Sequence, residues 1–257
     1  MLYDTLESRI DAAPSLDFGA IFSKAIELFK KSWLQGFLYV LLSFVLVLPA
    51  LLIIYIPMIG MMAANNYSQQ HMEQISDLPF LTMLPFMLLF FVVMLLANSI
   101  VMALNAGYYR VLQNLDMGKD VTIGEIFVFL KWVYIKKTLV LSLLVLLISL
   151  VAAMLFILPM IYVSVPLYLI TVIFAFNPEL TPIEVLKAAF KLGTKKWFIV
   201  FGLVFVAALA SQLVGLILCG IGTFFTASFV YNIVYYIYKD AVGFEEDLFT
   251  VQEKVVE

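Results

Sequence analysis

Four stretches of this sequence contain no Asp, Glu, Lys or Arg: 41 residues between Lys31 and Glu73, 32 between Asp77 and Arg110, 41 between Lys137 and Glu179, and 42 between Lys196 and Lys239. A helix crosses a bilayer with about 20 apolar residues, so every stretch holds at least one crossing and the longer ones have room for two. Only 13% of the chain is charged and 64% is apolar, with a mean hydropathy of +1.07. A soluble domain carries about twice that share of charge. The chain is therefore expected to be an all-α polytopic membrane protein, one integral membrane domain over residues 1–257.

Helical spacing and turn residues divide the blocks. The first span is expected from Leu34 to Ile56, with Pro49 inside it and Pro57 closing it, and the second from Leu81 to Ala106, continuing as helix to Leu115. The blocks after Lys137 and Lys196 read as hairpins. One turns near Leu158-Pro159-Met160 and returns from Tyr162 to Phe176; the other turns near Cys219-Gly220-Ile221-Gly222. This makes six spans, or five if the segment from Tyr162 to Phe176 dips into the bilayer and comes back.

With six spans, all 15 Lys and Arg fall on the side of the N-terminus, within residues 1–33, 107–137, 177–197 and 238–257. The positive-inside rule then puts both termini in the cytoplasm. Trp33, Trp132 and Trp197 each stand beside a basic cluster, where indole rings favour the headgroup region. The first 31 residues are rich in charge and lack an apolar core segment, so no cleavable signal peptide is expected.

Three segments ahead of the basic clusters are alike. Asp17, Thr122 and Thr181 each stand where a helix N-cap belongs, and each is followed 13 or 14 residues later by a Lys-Lys pair: Lys30-Lys31, Lys136-Lys137 and Lys195-Lys196. Thr122 with Glu125 and Thr181 with Glu184 have capping-box spacing, and Pro182 suits the first helical position. Apolar residues recur at helical spacing in Phe18, Phe22, Ala25, Phe29 and Trp33, in Ile123, Phe127, Leu130 and Tyr134, and in Ile183, Leu186, Phe190 and Trp197. These are expected to be three amphipathic helices lying in the cytoplasmic interface, each turning into the next span. Three pseudo-repeats result: a cytoplasmic segment 1–16, repeat 1 over 17–121, repeat 2 over 122–180, repeat 3 over 181–242, and a cytoplasmic tail 243–257, whose Gly243 to Phe249 resembles the start of a fourth such helix.

The interior offers little chemistry. No ionisable Asp, Glu, Lys, Arg or His lies in an expected span, which disfavours proton- or ion-coupled pumping. Single copies of His71 and Cys219 leave no multi-histidine metal site and no intrachain disulfide. No nucleophile elbow or phosphate loop is present, so no catalytic residue, cofactor or metal ligand is assigned and no enzyme is expected. The small net charge of −3 and the mixing of acids with bases give no nucleic-acid footprint. Asn98, Asn105, Gln212 and Asn232 are read as interhelical hydrogen-bonding groups, and Ala207, Ser211 and Gly215 as a packing seam within the chain or between copies. Tyr231, Tyr235, Tyr236 and Tyr238 are read as interfacial belt residues.

From Leu158 to Ala207 the pattern Leu158-Pro159-Met160-Ile161-Tyr162-Val163, Phe176-Asn177-Pro178-Glu179, Glu184-Val185-Leu186-Lys187-Ala188-Ala189-Phe190-Lys191-Leu192 and Lys195-Lys196-Trp197 resembles uncharacterised bacterial inner-membrane proteins related to the membrane domain that accompanies some glycerophosphodiester phosphodiesterases. The resemblance implies a multi-pass protein of the bacterial cytoplasmic membrane. No catalytic domain of that kind is expected in these residues, and no catalytic residue is carried over. The leading expectation is a non-enzymatic protein whose basic, aromatic cytoplasmic face binds anionic lipid, or a protein partner or second copy, through Lys30, Lys31, Lys136, Lys137, Lys195, Lys196, Trp33, Trp132 and Trp197. The alternative is a channel or permease for an uncharged or lipid-like substrate, with Asn98, Asn105 and Gln212 around its pocket.

Overall fold

The computed structural model describes residues 2–67, 79–217, 220 and 222–244. All secondary structure among them is helical: α1 (Leu2–Asp11), α2 (Phe18–Tyr67), α3 (Pro79–Asp116), a 3-10 helix (Ile123–Leu130), α4 (Trp132–Met154), α5 (Ile157–Phe176), α6 (Pro182–Lys195), α7 (Trp197–Ile217), α8 (Gly222–Thr226) and α9 (Phe229–Ala241). Five segments are long and apolar enough to cross a bilayer: Phe18–Ile53, Leu84–Asp116, Trp132–Met154, Ile157–Phe176 and Trp197–Ile217. Their outward faces carry large exposed apolar side chains, including Leu52, Leu88, Leu150, Leu213 and Leu216. Such a surface suits hydrocarbon, and the chain is a multi-pass α-helical membrane protein.

The expected last span is interrupted. Five residues of α8 are followed by a break at Ala227-Ser228 before α9 resumes, so neither piece alone is long enough to cross. Thr226 turns its hydroxyl onto the carbonyls of Ser211 (2.9 Å) and Gly222 (3.0 Å), and Ser211 returns a bond to the Thr226 carbonyl (2.9 Å). Backbone groups at the break are thus met by neighbours, which makes broken helix tolerable at depth.

Other boundaries also move. The first amphipathic segment does not turn into its span: α2 is one helix of 50 residues, running through Lys31 to Trp33 and on past Pro57. Asp17 caps it, accepting the Ala20 amide at 2.7 Å. Nothing between Ser23 and Leu48 breaks a helix except Gly36, and that residue is packed. The first hairpin turns at Leu155-Phe156, where Phe156 has φ 80°, so α5 begins at Ile157 and Pro159 sits in its first turn, where no amide donor is needed. The second turns between Ile217 and Gly222 through Gly220 at φ 86°; Cys219 and Ile221 lie outside the described residues, as do His71 and the tail from Glu245.

The segment after Thr122 is a 3-10 helix rather than an α-helix. It is short, and its glycine, β-branched and aromatic residues are poor α-formers. The amphipathic phase also differs from the expected one. The residue four beyond each cap is buried, namely Ile21, Ile126 and Val185, each fully inaccessible, whereas Phe18 and Ile123, one beyond their caps, and Ile183, two beyond its cap, are exposed. These segments do not lie apart from the bundle. Each packs along a helix that precedes it in the chain or closes back on it: the 3-10 helix on α3, α6 on α5, and the first part of α2 on α9.

Each of those three contacts includes a glycine in close approach. A Cβ on Gly107 would stand 2.1 Å from the Ile126 carbonyl oxygen, one on Gly36 2.2 Å from the Ser228 hydroxyl, and one on Gly193 2.9 Å from Pro166. The core lies along the second half of α3, the C-terminal half of α5, and α9, which bring Leu104, Tyr108, Leu112, Leu169, Phe174, Ile233 and Tyr235 together out of contact with solvent.

Candidate functional site

Lys191, Lys195 and Lys196 of the third copy are consumed by the fold. On α1, Leu6 and Ile10 are buried and Glu7 and Asp11 stand one turn apart beside them. Lys191 of α6 pairs with both carboxylates, at 2.8 Å and 2.7 Å. Lys195 donates to the carbonyls of Ile10 (3.0 Å) and Asp11, and Lys196 to those of Ala13 (3.2 Å) and Pro14 (2.6 Å). A helix C-terminus leaves carbonyls without partners and carries partial negative charge, so lysines are well placed there.

The Asp11 carboxylate, and after it Glu7, hold the Lys191 ammonium above its ordinary pKa. A raised lysine pKa contributes below the ordinary value and is lost only as pH climbs through the raised one, so this contribution to holding α1 is in place across neutral pH. At the start of α6 the Thr181 amide, then its hydroxyl, hold the Glu184 carboxyl below its usual range. That contribution is present above the ordinary glutamate value and fades as pH falls through the lowered one. Replacing Lys191 and Lys195 together by Gln is expected to release α1 and speed limited proteolysis in the segment 12–17 several-fold. An unchanged cleavage rate would refute the clamp.

Lys137 is likewise committed, donating to the carbonyls of Pro178 (2.6 Å), Glu179 (3.2 Å) and Leu180 (3.1 Å) after the end of α5. Trp197 donates its indole N–H to the Tyr162 carbonyl at 3.0 Å and stacks on that ring, near the start of α5. Fourteen residues of helix separate Tyr162 from Phe176, about 21 Å at 1.5 Å per residue. Trp197 thus lies against the first half of α5, and the Lys137 ammonium against the segment that follows it.

The remaining candidates face outward. Lys136 lies 5.5 Å above the ring of Trp132, which is 70% exposed. Trp33 is 46% exposed, with one side toward Phe225. Lys30 pairs with Glu27 at 2.6 Å on the exposed face of α2, and Lys31 is exposed beside it.

Sequence reasoning did not anticipate the polar hub at the end of α3. Asp116 accepts from Tyr236 (2.6 Å), Tyr235 (2.9 Å) and Lys239 (2.6 Å), all on one stretch of α9, and Lys24 of α2 meets Asp240 at 3.0 Å. Tyr235, Tyr236 and Tyr238 are buried by this packing rather than displayed in a belt. A cavity of about 500 Å³ opens beside the hub, between α2, α3 and α9. Nearby, Arg110 donates to the Ala175 carbonyl at 3.0 Å and to Gln113 at 3.3 Å, with its guanidinium 5.0 Å above the Phe176 ring. The available signal was the spacing of Arg110, Gln113 and Asp116, every third residue on a helix that outlasts its apolar block.

The amides of the permease alternative do not converge. Asn98 and Gln212 are exposed, while Asn105 is buried. Asn232, also buried, donates to Ser32 at 3.0 Å and accepts from Tyr108 at 3.4 Å. The small-residue seam is filled within the chain: Thr223 of α8 closes on Gly215, and Thr226 exchanges bonds with Ser211. Among the described residues, His, Cys, Asp and Glu do not gather in threes where a metal could be held. Compared with protein-family models, curated proteins and solved structures, the chain matches none.

Proposed function

We propose that this chain is a non-enzymatic integral membrane protein that holds anionic phospholipid headgroups on its cytoplasmic side through Lys30, Lys31, Lys136, Trp33 and Trp132. The observation that carries it is the outward lysine–tryptophan pair of Lys136 and Trp132, an exposed cation on an exposed indole of the kind that lodges at headgroup depth. Lys137, Lys195 and Lys196, bonded to backbone carbonyls, act in this proposal as structural groups.

The proposed architecture has three units and six crossings, the sixth formed jointly by α8 and α9. Three glycine contacts linking each return helix to the opening segment of the next unit, with α9 closing onto α2, favour the repeat. The confinement of all 15 Lys and Arg to one side of a six-span topology supports cytoplasmic termini. Kinship with the phosphodiesterase-associated membrane domain, and with it a bacterial inner-membrane location, belongs to the same proposal.

A juxtamembrane lysine contributes about 1 kcal/mol to contact with an anionic bilayer surface. Gln at Lys30, Lys31 and Lys136 together is therefore expected to reduce enrichment of phosphatidylglycerol over phosphatidylcholine around the nanodisc-embedded protein by tens of fold or more, with thermal stability unchanged. Gln at Lys137, Lys195 and Lys196 is expected to lower stability and leave enrichment in the folded fraction near wild type. The opposite assignment of the two triple variants would sink the proposal.

A further inference from the structure

We infer that the cavity between α2, the end of α3 and α9 is a site for one anionic phospholipid, its phosphodiester on Lys31 and its acyl chains along the outer face of α2. This rests on the lipid-binding proposal above and adds to it a defined site with one-to-one stoichiometry. The cavity, about 500 Å³, is lined by Ser23, Lys24, Glu27, Lys31, Asp116 and Tyr236 among others.

Charge bookkeeping inside it leaves a single cation over. Glu27 is neutralised by Lys30 at 2.6 Å, Asp116 by Lys239 at 2.6 Å with two tyrosine hydroxyls, and Lys24 by Asp240 at 3.0 Å. Lys31 has no ion-pair partner among the described residues. One unmatched ammonium complements the one negative charge of a phosphodiester, and the hydroxyl of Ser23, two turns earlier on the same helix, can donate to the same oxygens.

What distinguishes a lipid from a free anion is the surface that continues from Lys31. Leu34, Leu38, Leu41 and Val45 follow it at intervals of three and four residues, hence on one helix face, and Leu34, Leu41 and Val45 are exposed. From Leu34 to Val45 the stripe rises about 16 Å, close to one hydrocarbon leaflet of about 15 Å. A phosphate ion would use the lysine and leave the stripe idle; a phospholipid uses both.

The test is native mass spectrometry of the full chain released from nanodiscs of mixed phosphatidylglycerol and phosphatidylethanolamine. One retained phosphatidylglycerol is expected, falling about fivefold in Lys31→Gln, recovering in Lys31→Arg, and holding in Lys136→Gln. The Arg variant and a thermal melt guard against misfolding. Equal retention in Lys31→Gln and wild type would overturn the site, as would retention of phosphatidylethanolamine instead. Binding of inorganic phosphate by the detergent-solubilised protein with no lipid retained would identify a free-anion site and also overturn it. If phosphatidylglycerol is enriched around the protein but no single lipid is retained, this inference falls and the broader function stands. If there is no enrichment at all, both fall.

Discussion

Gly107→Ala is expected to destabilise the protein by about 3 kcal/mol or more, at the upper end of what overpacking costs. The added Cβ would stand 2.1 Å from the carbonyl oxygen of Ile126, 2.7 Å from its carbonyl carbon and 3.0 Å from its Cα. All three of these atoms are backbone, so relief cannot come from a side chain swinging away. Ile126 is itself fully buried, and Asn114, two turns further along α3, ties the same 3-10 helix to α3 by donating to Glu125 at 2.7 Å. Relief requires the 3-10 helix to leave α3. Thermal unfolding in detergent measures the effect, with Gly60→Ala as the control, because nothing lies within 4 Å of its Cβ position. That control should be neutral or slightly stabilising, since alanine favours a helix interior over glycine by about 0.5 to 1 kcal/mol. A Gly107→Ala protein that melts with wild type would mean that the contact between α3 and the 3-10 helix is looser than described.

Asp116→Ala is the second large effect, expected to cost about 2 to 3 kcal/mol. The carboxylate is the shared acceptor of three donors from α9, and a hydrogen bond to a charged group contributes about 1.5 to 3 kcal/mol net, not additively when one acceptor is shared. Its side chain is 15% exposed and that of Lys239 34%, so water rescues part of the loss once the acceptor is gone. The diagnostic result is a double-mutant cycle with Lys239→Met. Strong coupling is expected, because either single variant already breaks the Asp116–Lys239 pair. Additive effects would show that Asp116 acts through the tyrosines alone. Asp116 also forms one wall of the cavity beside Lys31, so its loss should disturb retained lipid without removing the cation that binds it.

The membrane character and the positions of the spans are legible in the charge-free blocks, because an ionised side chain in hydrocarbon costs several kcal/mol and the bilayer enforces that exclusion locally. Helix starts are legible for a similar reason. Asp17 and Thr181 cap α2 and α6 with groups that lie within three residues of them in sequence. Where contact between distant segments decides, local pattern fails. The stripe containing Phe18, Ile123 and Ile183 is as apolar as the one containing Ile21, Ile126 and Val185, and in a membrane protein both faces of a helix can be apolar, so periodicity does not tell lipid-facing from protein-facing. Pro57 does not end α2, which runs on to Tyr67.

The lysine pairs show the same division. Identical in sequence, they differ in use: Lys195 and Lys196 close the end of α1, Lys137 closes the turn after α5, and Lys30, Lys31 and Lys136 face outward. A flexible four-carbon stem carries its charge about 6 Å from the backbone, so its partner is set by whichever element the fold brings within that reach. The sequence by itself determined that the chain is helical, that it crosses a membrane and where its scarce charges stand, because burial of charge is a local cost. Only the tertiary structure decided which charges are spent inside the protein, which glycines are contact points and where a cavity opens, because those depend on residues 200 or more positions apart, as Ser32 and Asn232 or Lys24 and Asp240 are.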